Sequence, residues 1–247
     1  DGLSVVAVDL NGGKIGTTEG SVNVVVKSGG SFTAPSGEGL TAPVDGAEFM
    51  GWKADDNTVY EAGASVPSTV TTLTAQWTSP ESTPAITIDY TNEMLTGFEN
   101  GASYTLNGEP VSPGADGTLA IDSSWFGKSL SIVKKGDGST TSDSAPQTLS
   151  IPTRPAAPAG LTAHKTSSGT ADDGKITGLD SAKTYQYSTD GTNWTGVPAG
   201  STEIANLAAD TYQVRFAAVE NSSFASPSVT HTVQESTPPV VPLATVR

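Results

Sequence analysis

The chain has 247 residues, of which 27 are glycine and 16 proline, with 35% hydrophobic and 15% charged residues, and it lacks long runs of Ala, Leu, Glu and Lys that would build helices. The net charge of −14 is spread as nine acids and three bases in residues 1–78, the same in 79–153, and eight and six in 154–247, so no basic block offers nucleic acid or an anionic membrane a grip. Cysteine is absent, which excludes disulfides, zinc–thiolate sites and cysteine nucleophiles.

What remains is the composition of many short strands joined by tight turns, an all-β chain. No apolar run is long enough to cross a bilayer, and no signal peptide or wall-sorting signal is visible. The sequence reads as an excised piece of a longer extracellular protein, secreted or attached to a cell wall. Thr78-Ser79-Pro80-Glu81-Ser82-Thr83-Pro84 and Pro152-Thr153-Arg154-Pro155-Ala156-Ala157-Pro158 read as semi-rigid connectors, because proline fixes φ and favours extended backbone. They divide the chain into 1–78, 79–153 and 154–235, with a Ser/Thr/Pro linker over 236–247. Modules of that size bury about 60% of their unfolded surface, enough to fold with modest stability.

In the first segment, Val5-Val6-Ala7-Val8-Asp9-Leu10-Asn11-Gly12-Gly13 reads as a strand entering an Asn-Gly turn. Val22-Asn23-Val24-Val25-Val26, Phe49-Met50-Gly51-Trp52, Tyr60-Glu61-Ala62-Gly63 and Leu73-Thr74-Ala75-Gln76-Trp77 follow. With Asp-Leu-Asn-Gly-Gly near its start and Ala-Gln-Trp at its end, this order resembles the internalin-type B repeat over residues 4–77. The resemblance implies a β-grasp-like module of a bacterial surface protein, without catalysis.

The second and third segments repeat one another. Thr96-Gly97-Phe98 followed by Tyr104 matches Thr177-Gly178-Leu179 followed by Tyr185, and Pro146 matches Pro227, all at an offset of 81 residues. Leu130-Ser131-Ile132 matches Tyr212-Gln213-Val214. A period of this size means tandem modules. The alternating runs Ile86–Tyr90, Tyr185–Tyr187 and Thr211–Phe216 predict strands. Asn107-Gly108 predicts a hairpin turn, and Asp190-Gly191 stands as its counterpart. Six to eight strands per copy, without helix, point to two immunoglobulin-like or fibronectin-like sandwiches. They resemble repeats of large bacterial surface proteins and of secreted multidomain peptidases and glycosidases.

No catalytic residue is expected. His164 and His231 have no metal-ligand spacing, and no Gly-x-Ser-x-Gly elbow is present. Asp55-Asp56 and Asp172-Asp173 are adjacent turn residues, whereas glycosidases need carboxyls about 5–10 Å apart across a cleft. Asp116-Gly117, Gly136-Asp137-Gly138 and Asp143 are oxygen-rich, but they form no complete calcium loop. Metal and cofactor are therefore expected to be none. Ser188–Trp194 resembles the Asp-box hairpin of sialidases, itself structural, with Trp194 packed on its own sheet. Trp52 and Trp77 lie on the B-repeat signature and are expected in the core. Trp125, in Ser123-Ser124-Trp125-Phe126-Gly127, is the candidate ligand contact, since exposed aromatics stack on sugar rings. A Lys–Asn staple could replace absent disulfides, but no local pattern identifies the pair.

The function expected is a non-catalytic spacer, stalk or adhesion region. The alternatives are an accessory C-terminal region of a secreted hydrolase, or a carbohydrate- or protein-binding module. The expected partners are a host glycan or protein and neighbouring domains of the parent chain. Nucleic acid and membrane insertion are not expected, and the fragment is expected to be monomeric.

Overall fold

The computed structural model describes residues 2–236, so all but the first residue of the expected 236–247 linker lies outside the described residues. The chain is all-β, and the one helical element among the described residues is a 3-10 turn at Ser123–Trp125. Two compact units form. One holds residues 2–86, Gly97–Leu119 and Leu130–Leu149, and the other holds Thr87–Thr96, Ala120–Ser129 and residues 150–236. Each Pro-rich joint falls inside a unit.

The first segment contributes β1 (Leu3–Ile15), β2 (Thr18–Lys27), β3 (Ser31–Thr33), β4 (Leu40–Thr41), β5 (Phe49–Ala54), β6 (Val59–Tyr60), β7 (Ser65–Pro67) and β8 (Thr72–Trp77). Its main sheet runs β2-β1-β8-β5-β6, with β4 against β1 and a separate β3–β7 ribbon. β1 and β8 are parallel neighbours, with Val8 opposite Leu73. Period-two alternation along β1 sends Val6, Val8 and Leu10 inward, since successive side chains in a strand face opposite sides. They meet Val26, Trp52, Val66, Leu73 and Ala75 in one core. Each buried Val or Leu contributes about 1.5–3 kcal/mol. Trp52 is 1% exposed, and its indole N–H donates to Pro35 O at 2.8 Å.

The expected turn at Asn11-Gly12 is a bulge instead. β1 continues to Ile15, its register against β2 shifts between Asp9 and Lys14, and Ile15 pairs with Thr18, so the hairpin turns at Gly16-Thr17. Asn11 and Gly12 do take positive φ, 48° and 82°, the backbone their residue types favour. That conformation is used to kink a strand rather than to reverse it.

The middle segment contributes β9 (Ser79–Pro80), β10 (Thr87–Asp89), β11 (Met94–Thr96), β12 (Tyr104–Leu106), β13 (Glu109–Val111), β14 (Thr118–Ala120), β15 (Ser129–Lys134), β16 (Thr141–Ser142) and β17 (Gln147–Ser150). β10 pairs with β11, and β12 with both β13 and β15. Leu106 opposes Glu109 across Asn107-Gly108, and both turn residues have positive φ, as the sequence predicts.

The third segment contributes β18 (Thr162–His164), β19 (Gly174–Thr177), β20 (Tyr185–Ser188), β21 (Thr195–Gly196), β22 (Glu203–Leu207), β23 (Asp210–Phe216) and β24 (Val229–Val233). Sheets β18-β19-β22 and β21-β20-β23-β24 enclose Ile176, Leu179, Tyr185, Ile204, Leu207, Tyr212, Val214 and Val233. This seven-stranded sandwich closes the corner between β22 and β23 with Tyr212, whose hydroxyl donates to Ala208 O at 3.1 Å, the tyrosine corner of immunoglobulin-like architectures.

The internal repeat reappears in the hydrogen bonds. Glu99 N donates to Tyr104 Oη and Asp180 N to Tyr185 Oη, both at 3.1 Å. Lys134 N donates to Ser144 Oγ and Phe216 N to Ser226 Oγ, both at 2.9 Å. Both serines are buried, where an unpaired hydroxyl would be costly. Asp190-Gly191 departs from its counterpart. Tyr187 opposes Thr195, so a longer loop, not a two-residue turn, joins β20 to β21.

Candidate functional site

The sequence candidates do not converge. Asp55 accepts from Thr71 N and Oγ1, while Asp56 accepts from Thr58 N. Asp173 accepts from Ser167 N. His164 lies 2.9 Å from Thr177 Oγ1, and His231 pairs with Tyr212 across β23 and β24. Asp137 has its oxygens filled by Ser139 N, Thr140 N, Thr141 N and Thr140 Oγ1. These donors, the Thr140 hydroxyl first, hold its carboxyl far below the usual carboxylate range. Asp116 accepts from Thr118 and Asp143 from Lys135 and Gly136.

Three of the four tryptophans serve the fold. Besides Trp52, Trp77 donates through Nε1 to Leu10 O at 3.1 Å and meets Phe49 edge-on at 5.5 Å. Trp194 lies under Arg215, whose Cζ stands 3.7 Å from the indole centroid, and donates to Gly191 O at 3.2 Å. The loop below it is organised by Asp190, which accepts from Thr192 N, Asn193 N and Asn193 Nδ2. Trp125 ends the 3-10 turn, half-buried while Ser123 and Ser124 are exposed, and Asp122 caps that turn through Ser124 N at 2.8 Å.

An open cleft of about 730 Å³ lies along Pro155, Ala156 and Ala157, facing Phe216 and Val219. Lys183 is the one ionisable residue in its lining, so it brings no acid–base pair to a substrate.

The most elaborated geometry occupies the two joints. At the first, β9 pairs in parallel with β16. Ser79 N donates to Thr140 O, and Glu81 N to Ser142 O, both at 3.0 Å. Ser142 Oγ reaches back to Gly46 O at 2.6 Å. Thr78, 3% exposed, exchanges bonds with Glu48 through its N–H and its Oγ1. Lys134 Nζ then bridges Glu81 at 3.0 Å and Glu99 at 2.6 Å. Lys134 and then the Thr141 hydroxyl hold the Glu81 carboxyl below its ordinary value, and Glu99 followed by Glu81 push the lysine up.

At the second joint, Arg154 forks onto Glu93, with Nη1 to Oε1 at 2.6 Å and Nη2 to Oε2 at 2.5 Å. Nη1 also donates to Ala225 O at 2.8 Å, and the guanidinium carbon lies 4.5 Å from the Phe126 ring centre. Phe224, fully buried, sits 4.9 Å from Tyr90 and 5.0 Å from Phe126. Glu220 accepts from Thr91 N at 3.0 Å and Thr91 Oγ1 at 2.7 Å. Glu93 holds its carboxylate there at φ 55°, a left-handed conformation costing about 1 kcal/mol or more for a residue with a side chain. A bidentate arginine pair is of the size to offset that.

The sequence marks both connectors as semi-rigid segments but assigns no partner to any residue in them. The available signal was an arginine and a glutamate, Arg154 and Glu81, set within otherwise small, Pro-rich connectors.

No family model matches the chain, and no curated protein matches it. Thirty solved chains resemble it in structure. Among them is the crystal structure of chicken CNTN1 FN1-FN3 domains, 10% identical, covering 94% of this chain and 98% of that one at a TM-score of 0.33. A likeness that slight carries no argument, and the fold rests on the strand pairings themselves.

Proposed function

We propose that the chain is a non-catalytic spacer of an extracellular protein, built from three modules (1–78, 79–153 and 154–235) whose connectors are stapled rather than free. The observation that carries this reading is that both Pro-rich joints lie inside compact units, one held by a parallel ladder and one by an arginine fork. A chain that must hold a distance gains from such joints, because proline stiffens a connector only within itself and modules without anchoring contacts are free to reorient. The reading of 1–78 as B-repeat-like draws support from the meeting of its two signatures. Asn11 Nδ2 donates to Ala75 O at 2.9 Å, and Trp77 donates to Leu10 O. Among the described residues no helix is long and apolar enough to cross a membrane.

Backbone ¹⁵N relaxation tests the proposal. Residues 78–84 and 152–158 are expected to show order parameters near those of the strands, about 0.85, and values below about 0.6 would refute it. Trp125 remains the residue proposed for ligand contact. A glycan array run with wild type and Trp125→Ala checks it, and an unbound wild type removes the idea.

A further inference from the structure

We propose that β2 is a self-association edge, pairing antiparallel with β2 of a second copy of this chain. β2 lies at the end of its sheet with β1 as its single ladder partner. No other hydrogen bond among the described residues reaches Ser21–Lys27. At ten residues it is the longest sheet edge among the described residues, since the others there run two to five residues. Natural edges are usually shortened, bulged, broken by proline or guarded by inward charge. Ser-Val-Asn-Val-Val-Val-Lys has none of these except a terminal lysine, and it pairs without interruption against Leu3–Asp9.

The surface beside that edge is apolar. Val25 is 61% exposed, Val5 opposite it 57%, and Leu3 74%. Among the described residues, three of the seven large hydrophobic side chains left in solvent therefore cluster on one hairpin face, where a contiguous patch marks an interaction surface.

The occupant follows from the segment's own symmetry. With a two-fold axis at Val24, Ser21 lies opposite Lys27 of the second copy, Val22 opposite Val26 and Asn23 opposite Val25. Every opposed pair shares a face, as the period of two demands, so valine meets valine on the core side while on the exposed face Val25 of each copy meets Asn23 of the other. The ends complement in charge. Lys27 closes one end of the hairpin, and Asp9, paired with Ser21, and Glu19 close the other. Antiparallel pairing brings lysine toward the acids, whereas parallel pairing would stack like upon like. The net charge of −14 opposes association, so the pair is weak, with a Kd on the order of 0.1–1 mM. It fills where copies are held side by side on one support. The proposal stands or falls on β2, independently of the spacer reading.

Two measurements on the full chain test it. In ¹⁵N–¹H spectra of the wild type, raising the concentration from about 10 μM to about 0.5 mM should shift residues 21–27 and 3–9, and Asn23→Lys/Val25→Lys, which opposes like charges, should weaken the shifts at least about tenfold. The chain has no cysteine, so Val25→Cys and Val44→Cys, both at exposed positions, give single thiols. Mixed with Asn23→Cys, also at an exposed position, Val25→Cys should oxidise to a covalent dimer about tenfold faster than Val44→Cys, since residues 23 and 25 stand directly opposite across such a pair with Cβ atoms about 4.5–5.5 Å apart, within disulfide reach. Equal oxidation rates, or spectra unchanged across the range, would overturn the proposal.

Discussion

The two joints achieve order by different means. Around residues 78–81 the link is mostly main chain, a parallel ladder with a serine hydroxyl and a buried threonine added. Around residue 154 the link is mostly side chain: one guanidinium fork, one glutamate on a turn and one phenylalanine between two rings. A ladder orders backbone that is already extended by proline, and it spreads its contribution over several bonds. A fork must immobilise a long side chain carrying about 2 kcal/mol of rotamer entropy, and it returns directional bonds in exchange. The first joint should therefore tolerate side-chain changes, while the second should depend on a few residues.

The sharpest way to break that contrast is Phe224→Ala. Removing a fully buried ring leaves a cavity between Tyr90 and Phe126 and should cost about 3–5 kcal/mol, read by chemical denaturation of the full chain. Arg154→Ala comes next, at about 2 kcal/mol, because a partly buried carboxylate and a carbonyl lose a shared donor. Arg154→Lys should recover less than half, since an ammonium cannot make the fork. Full recovery by lysine would mean that charge alone holds the joint.

At the first joint, Ser142→Ala deletes the bond to Gly46 O and should cost about 1 kcal/mol, while ¹⁵N order parameters at Ser79 and Glu81 stay at strand level. Loss of order there would place the joint's strength in one hydroxyl and erase the distinction.

How much of this was legible in the sequence depended on whether the signal was local. The 81-residue repeat was visible because each copy needs the same buried tyrosine and the same Gly φ before it, 103° at Gly97 and 92° at Gly178. The Asn11-Gly12 signal fixed a positive-φ pair but not its use. The constraint beside it lies far along the chain. A Cβ on Gly13 would stand 2.5 Å from Trp77 Cζ2, so the residue that follows the kink must lack a side chain to admit an indole that is 64 residues away in sequence. Asp190-Gly191 misled in the opposite sense, because Asp190 caps a longer loop instead of supplying a tight turn. Tyr212 could have been read as a corner tyrosine from its place at the start of a strand, four residues after Ala208. Arg154 could not, because its partners come from three separate stretches at 93, 126 and 225. Connectors read as stiff through proline are held here mainly by charge and hydrogen bonds that composition does not display.

The smallest expected effect separates ladder from ion pair within the first joint. Lys134 and the Thr141 hydroxyl favour the ionised Glu81, so its folded value lies below the ordinary 4.5. A carboxyl lowered on folding lends its stabilisation fully above the unfolded value and loses it as pH falls through the folded one. Between pH 7 and 5 nothing should change, and the loss should begin below about pH 4.5. The groups facing Glu81 are Lys134, Thr141 and, more distantly, Asp137, whose charge opposes the lowering. Since Glu81 N still donates to Ser142 O, the ladder should survive protonation. Amide exchange at Glu81 should therefore quicken only a few-fold at pH 3, after correction for intrinsic rates, and Lys134→Met should flatten that response. If instead protection at Ser79 and Glu81 collapses together on acidification, then the carboxylate, not the ladder, holds the joint, and the two joints work by the same means.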